Sequence, residues 1–214
     1  MARTPVLTKE QIIRCALAII NQEDFESITI RHIAHQLGTS TAPIYTQYPT
    51  VEALYEDLSR YVMEQLLENT RIQRTPDSFL NIGVGILAFV LENKQAFSYY
   101  FLSPNRLRLP VSDQTSPFLA QMKTHPFLSI LGDERLSQLL HDMSIYTYGL
   151  STMICIGTEE STQLDYYMSK LEQNGSRLIS YHLFSSGLYE TYIQMIINHS
   201  SKSTRICKTD EHCS

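Results

Sequence analysis

Side chains able to do chemistry are spread along the 214-residue chain, so their spacing decides what they can do together. Cys207, His212 and Cys213 gather soft ligands in a polar stretch, but the spacing matches no common zinc pattern, and a frayed terminus is the alternative. No Gly-rich phosphate loop, His-Glu metal helix or nucleophile elbow occurs, and the Ser, His and Asp residues show no spacing that fixes a triad. An enzyme is not expected, and neither is a metal or a cofactor. Cys15 and Cys155 stand in apolar-periodic stretches, where a cysteine is most often a small buried hydrophobe, so no disulfide framework is implied.

Binding remains, and it depends on the elements that hold the side chains. Hydrophobic residues make up 43% and charged residues 18%, the balance of a globular chain with a sizeable core. Thr8 with Gln11 forms a capping-box pattern, and Ile12, Ile13, Ala16, Leu17 and Ile20 then recur at helical spacing, predicting a helix over Lys9 to Gln22. After the acidic patch Glu23-Asp24-Phe25-Glu26, Thr29 caps a short second helix with Ile30, Ile33, Ala34 and Leu37 on one face. Gly38 ends it. Thr39 and Ser40 are N-cap candidates for a third helix over Thr41 to Tyr48, where Pro43 removes an N–H that has no intrahelical acceptor. Two short helices joined by a Gly-containing turn make a helix-turn-helix, whose second helix fits a major groove.

The rest also reads as helix: Val51 to about Gln73, Phe79 to Leu91, Gln95 to Leu102, Ser116 to Leu131, Glu134 to Ile156, and Gly175 to Ser200. Ser103 to Pro110, with Arg106 and Arg108, reads as a loop. No strand-like alternation and no repeat is visible. The fold expected is all-α, with an N-terminal three-helix helix-turn-helix module (1–50), a C-terminal helical domain (51–200) and a disordered tail (201–214). No run approaches the length of apolar residues that spans a membrane, and Ala2-Arg3 opens no signal core, so a cytoplasmic chain with no membrane partner is expected.

The run Ile28-Thr29-Ile30-Arg31-His32-Ile33-Ala34-His35-Gln36-Leu37-Gly38-Thr39-Ser40-Thr41-Ala42-Pro43-Ile44-Tyr45-Thr46-Gln47-Tyr48, followed by Glu52-Ala53-Leu54, resembles the DNA-binding signature of the TetR family. The likeness covers Thr8 to Leu58. It implies a transcriptional regulator, most often a repressor released from a double-stranded DNA operator by a small molecule. In it Ile33, Ala34, Leu37 and Ile44 match core positions, and Thr29 matches a helix start that meets phosphate. Arg31 matches a position reaching DNA, a solvated surface arginine being the other reading. Thr41, Ala42, Pro43, Tyr45, Thr46 and Gln47 match groove-facing positions, with Ser40 and Tyr48 at either end. Gln47 can offer adenine a donor and an acceptor, while Ala42, Pro43 and the Thr46 methyl suit thymine methyls. Tyr45 is expected on phosphate, or else packed on the first helix.

Departures from the pattern weigh on this. The family often has His-Phe near Gln47-Tyr48 and a lysine where Val51 stands. The net charge is -5, and residues 1–60 set Arg3, Lys9, Arg14, Arg31 and Arg60 against seven acidic side chains. Weak, salt-sensitive DNA binding is expected, because phosphate neutralisation supplies most non-specific affinity. His32 and His35 can add charge in mild acid. An alternative is a TetR-like protein that has lost DNA binding and works through protein partners, as a co-activator or assembly factor.

The resemblance also implies an effector pocket in the second domain. Phe89, Phe97, Tyr100, Phe101, Met122, Phe127, Tyr146 and Met153 are its candidate walls, pointing to an apolar or aromatic effector, with plain core packing as the alternative. The last two helices carry small residues (Ser144, Gly149 and Ser151; Ser185, Ser186 and Gly187) that suit either a homodimer seam or internal packing.

Overall fold

The computed structural model describes residues 7–103, 107–111, 116–158 and 163–209, with side chains to His199. Among them every regular element is a helix: α1 (Lys9–Gln22), α2 (Ile30–Gln36), α3 (Ala42–Gln47), α4 (Val51–Arg71), α5 (Leu80–Glu92), α6 (Lys94–Phe97), α7 (Pro117–Met122), α8 (Gly132–Ile156), α9 (Leu164–Ser185) and α10 (Tyr189–Thr209). None is long and apolar enough to cross a membrane. Arg106 and the cluster partners His212 and Cys213 lie outside the described residues, as does 210–214 of the expected tail.

The chain forms two compact units. The first comprises Met1–Ile72, Val84–Leu109 and Tyr148–Leu164; the second comprises Gln73–Gly83, Pro110–Thr147 and Asp165–Ser214. Helices α5 and α8 therefore each contribute to both.

In the first unit the helix starts are set locally. Thr8 accepts from the Gln11 N–H while Gln11 accepts from Thr8 N–H, a complete capping box. Thr29 and Thr50 cap α2 and α4 through the N–H groups of His32 and Ala53. The apolar stripe of α4 (Leu54, Leu58, Val62, Leu66) is fully buried, as are Ile12, Ala16 and Ile20 of α1. The Asn21 amide donates to Asn93 Oδ1 at 2.7 Å, tying the end of α1 to the start of α6. Beyond α6 the expected Gln95–Leu102 helix loosens into a π-helical turn, Ser98–Leu102. On α5, Gly85 lies against the α4 backbone, where a Cβ would stand 2.4 Å from the Asn69 carbonyl oxygen. Cys15 and Cys155 are half-buried, and burial pushes the Cys155 thiol up to about 11, leaving it unreactive near neutrality.

The second unit departs more from the sequence reading. Ser116–Leu131 is not one helix: α7 ends at Met122, Pro126 blocks its continuation, and a 3-10 turn follows at Leu128–Leu131. His125 Nδ1 accepts from the Phe127 and Leu128 N–H groups, and burial holds its pKa down despite Asp77 nearby. The expected Gly175–Ser200 helix is also broken. Gly187 adopts φ 71°, with Leu188 N–H bonded to Leu183 O and Gly187 N–H to Phe184 O, so a Schellman-type stop separates α9 from α10. Helix α9 begins eleven residues earlier than the periodicity suggested, at Leu164, and α10 continues to Thr209, through most of the expected tail. The buried Asn81 fastens the turn before α5, accepting from Thr75 N–H at 2.9 Å and donating to Thr75 O at 2.8 Å.

Candidate nucleic-acid interface

The turn between α2 and α3 follows from Gly38. Its φ of 63° lies in the left-handed region that favours glycine, and Thr39 N–H reaches back to Ala34 O at 2.9 Å, closing α2. Thr41, rather than Thr39 or Ser40, then starts α3, its carbonyl accepting from Ile44 and Tyr45 N–H. Pro43 sits in the first turn, where its missing N–H leaves no bond unmade. Ile33 and Ala34 of α2 are buried, as is Ile44 of α3, which fixes the opposite faces of these helices toward solvent.

That outer surface carries most of the groove-facing candidates. Thr29, Arg31, Ser40, Ala42, Tyr45 and Thr46 are exposed, and Thr41, Pro43 and Gln47 are partly so. Tyr45 is 48% exposed, so it is not packed away on α1. The Thr46 hydroxyl donates to Ala42 O, which leaves its methyl and the acceptor side of its oxygen open. Gln47 donates its amide to Leu7 O at 3.0 Å. Tyr48 differs from the others: it is 1% exposed, with the Lys9 ammonium 4.7 Å from its ring centre, and serves the core.

The charges of this module largely cancel. Lys9 and Arg60 both bind Asp57, at 3.2 and 2.7 Å, and Arg14 binds Glu10 at 2.8 Å. His32 is turned toward Ser27 O and the Glu23 carboxylate, and not toward α3. Among the described lysines and arginines of the first 60 residues, Arg31 is the one left without a carboxylate partner. Desolvation raises the Asp57 pKa, but hydrogen bonds from Lys9 and Arg60 outweigh it and hold the carboxyl below its ordinary value. A depressed carboxylate contributes stability that is present above its unfolded pKa and lost as pH falls through its folded one. Asp57→Asn is therefore expected to lower the unfolding free energy by about 1 kcal/mol near neutrality. The gap closes in urea titrations below about pH 4; an unchanged gap there would refute this role.

The aromatic candidates are divided between the two units. Phe89, Phe97, Tyr100, Phe101 and Met153 belong to the first unit, and Met122, Phe127 and Tyr146 to the second. Phe97 stacks on Phe101 at 4.8 Å within the core, and Phe127 meets the rings of Tyr192 and His199 edge-on. Phe89 and Met122 are buried, Tyr146 is half-buried, and Met153 is exposed.

Each unit holds a cavity. One of about 510 Å³ lies within the second unit, with apolar walls from Phe79, Leu80, Met143, Met168, Leu171 and Ile179 and polar groups from Arg74, Asp77 and Glu172. None of the eight aromatic or thioether candidates lines it. Its walls come from the turn before α5 and from α8 and α9, a convergence that no local pattern announces. A second cavity, of about 340 Å³ in the first unit, includes Tyr100.

No protein-family model matches the sequence, and no curated protein matches it. Among solved structures, the chain is similar to a TetR-family transcriptional regulator from Streptomyces coelicolor, at 14% identity, over 95% of this chain and 97% of that one, with a TM-score of 0.62. It has the all-helical fold of that regulator.

Proposed function

We propose that this chain is a DNA-binding transcriptional regulator of the TetR family, acting as a homodimer and released from its operator by a small-molecule effector. The observation that carries the reading is the exposed surface of α2 and α3. Thr29, Arg31, Ala42, Tyr45 and Thr46 face solvent there, while Ile33 and Ile44 anchor the same helices in the core. A helix so presented enters a major groove, and its neighbour's N-terminus meets phosphate. On this reading residues 1–50 are the DNA-binding module, and the remaining helices bind effector and partner.

Support for a dimer comes from the second unit. Tyr181 and Phe184 of α9 are 65% and 79% exposed, and Ile197 of α10 is 50% exposed, a concentration of apolar surface unusual for a monomer. An operator of two half-sites about 34–36 Å apart needs two recognition helices, which two copies joined there supply. The 510 Å³ cavity is the effector site, and its mainly apolar walls suit an apolar or aromatic body with one polar end. An effector that favours a dimer with different spacing releases DNA, and DNA weakens the effector equally. Repression relieved by effector is the expected sign, in the cytoplasm.

The paired state of Lys9, Arg14 and Arg60 favours a second reading, in which the fold has given up DNA for a protein partner. Gel-shift titration of genomic fragments at low ionic strength separates the two. The regulator reading expects at least one fragment to shift, about tenfold weaker binding for Arg31→Ala and for Tyr45→Ala, and a salt slope reduced by about one per subunit for Arg31→Ala. If no fragment shifts, the protein-partner reading replaces it.

A further inference from the structure

Pro126 leaves the turn after α7 short of one backbone donor, and the side chain before it binds the next two. His125 Nδ1 accepts from Phe127 N–H and from Leu128 N–H, both at 3.2 Å. A ring nitrogen that accepts carries no hydrogen, so these two bonds select the neutral imidazole with its proton on Nε2. The side chain is only 10% exposed. The 3-10 turn Leu128–Leu131 starts from this point, with Leu128 and Leu131 buried.

The same ring stands between two other parts of the second unit. Its Nε2 lies 3.7 Å from Asp77 Oδ1, an oxygen that already accepts from Phe79 N–H and Leu80 N–H at the start of α5. Phe127 meets His125, Tyr192 and His199 edge-on, with ring centres 5.9, 6.1 and 5.5 Å away. Tyr192 and His199 belong to α10. The turn, the start of α5 and α10 therefore converge on one imidazole.

From this convergence we propose that His125 is a proton-operated latch, closed when neutral and released on protonation, that governs the turn between α7 and α8 and the seating of α10. A second proton must occupy Nδ1, and there it displaces both backbone N–H groups at once. The Asp77 carboxylate then offers the freed imidazolium a partner. In the closed turn burial opposes the charge and outweighs Asp77, which lowers the His125 pKa. Opened, the ring takes a proton at its ordinary value near 6.5, so the closed form is fully favoured above that pH and loses ground as pH falls below it. Among the described residues, the other titratable groups around the ring and Phe127 are Asp77, Tyr192, Tyr189 and His199. Burial and the Asp77 charge keep the Tyr192 phenol neutral, and Lys123 is bound to Asp133 at 2.9 Å.

The latch needs neither DNA nor effector, so its test is independent of the regulator reading. Hydrogen–deuterium exchange of the full chain is compared at pH 7.5 and pH 5, after correction for the intrinsic pH dependence of amide exchange. In the parent, protection of the Phe127 and Leu128 amides is expected to fall about fivefold at pH 5, with a parallel loss in the first turns of α10. His125→Asn supplies the sharpest comparison, because an asparagine Oδ1 accepts from the same two N–H groups and does not titrate. Its protection is expected to be equal at the two pH values, whereas His199→Gln keeps the parent's fall. Unchanged protection in the parent overturns the latch, as does an equal fall in His125→Asn or a fall that His199→Gln abolishes. An α10 that stays protected while the turn opens overturns its link to α10.

Discussion

Gly85→Ala is expected to lower the unfolding free energy by about 3 kcal/mol, while Gly149→Ala raises it by about 0.5 to 1 kcal/mol. Both glycines lie inside helices, so propensity alone favours alanine at each. The difference is what the new methyl meets. At Gly85 it would stand 2.4 Å from the Asn69 carbonyl oxygen and from the Thr70 Cα, both backbone atoms of α4 that no rotamer change can move. Helix α5 must then withdraw, taking the buried Val84, Ile86 and Leu87 with it. At Gly149, in α8, nothing among the described residues lies within 4 Å. Urea midpoints of the two variants provide the check, and a Gly85→Ala protein as stable as the parent would refute the close approach of α5 to α4.

Replacing Tyr181 and Phe184 together by arginine is expected to turn a dimer into a monomer in analytical ultracentrifugation. Each ring covered in a dimer contributes on the order of 2 kcal/mol, and two copies double the number lost. Both side chains point to solvent in the single chain, so the monomer keeps its fold and its melting profile. A monomer holds one half-site where the dimer holds two, so operator affinity falls by about a hundredfold or more. A double variant that still sediments as a dimer places the seam on some other face.

The first unit was more readable from sequence than the second, and the reason is how far apart the determinants lie. Thr8 with Gln11, Thr29, Gly38 and Thr50 each act on neighbours within four or five residues, so the boundaries of α1, α2 and α4 follow from local chemistry. Pro126 and Gly187 act just as locally, but apolar residues continue at helical spacing across both, and periodicity alone carries a helix through them. The outer face of α2 and α3 could be read for a related reason: once Ile33 and Ile44 are inward, the 3.6-residue period sets the other side chains. That period also puts Tyr48 inside, one turn after Ile44. The aromatic residues could not be sorted. A ring on an inward face is core if another ring fills the space against it, as Phe101 does for Phe97, and wall if nothing does. That depends on Met143, Met168 and the other residues distant in sequence that actually bound the larger cavity.

The bond from the Gln47 amide to Leu7 O has a thermodynamic meaning for sequence choice. On the regulator reading proposed above, presenting that amide to an adenine costs the side chain a contact it already has, so base recognition there is an exchange between two amide–oxygen pairs. The net gain expected at an ideal site is then small, and the expected discrimination comes from an internal competitor that penalises wrong sequences, not from tight holding of the right one.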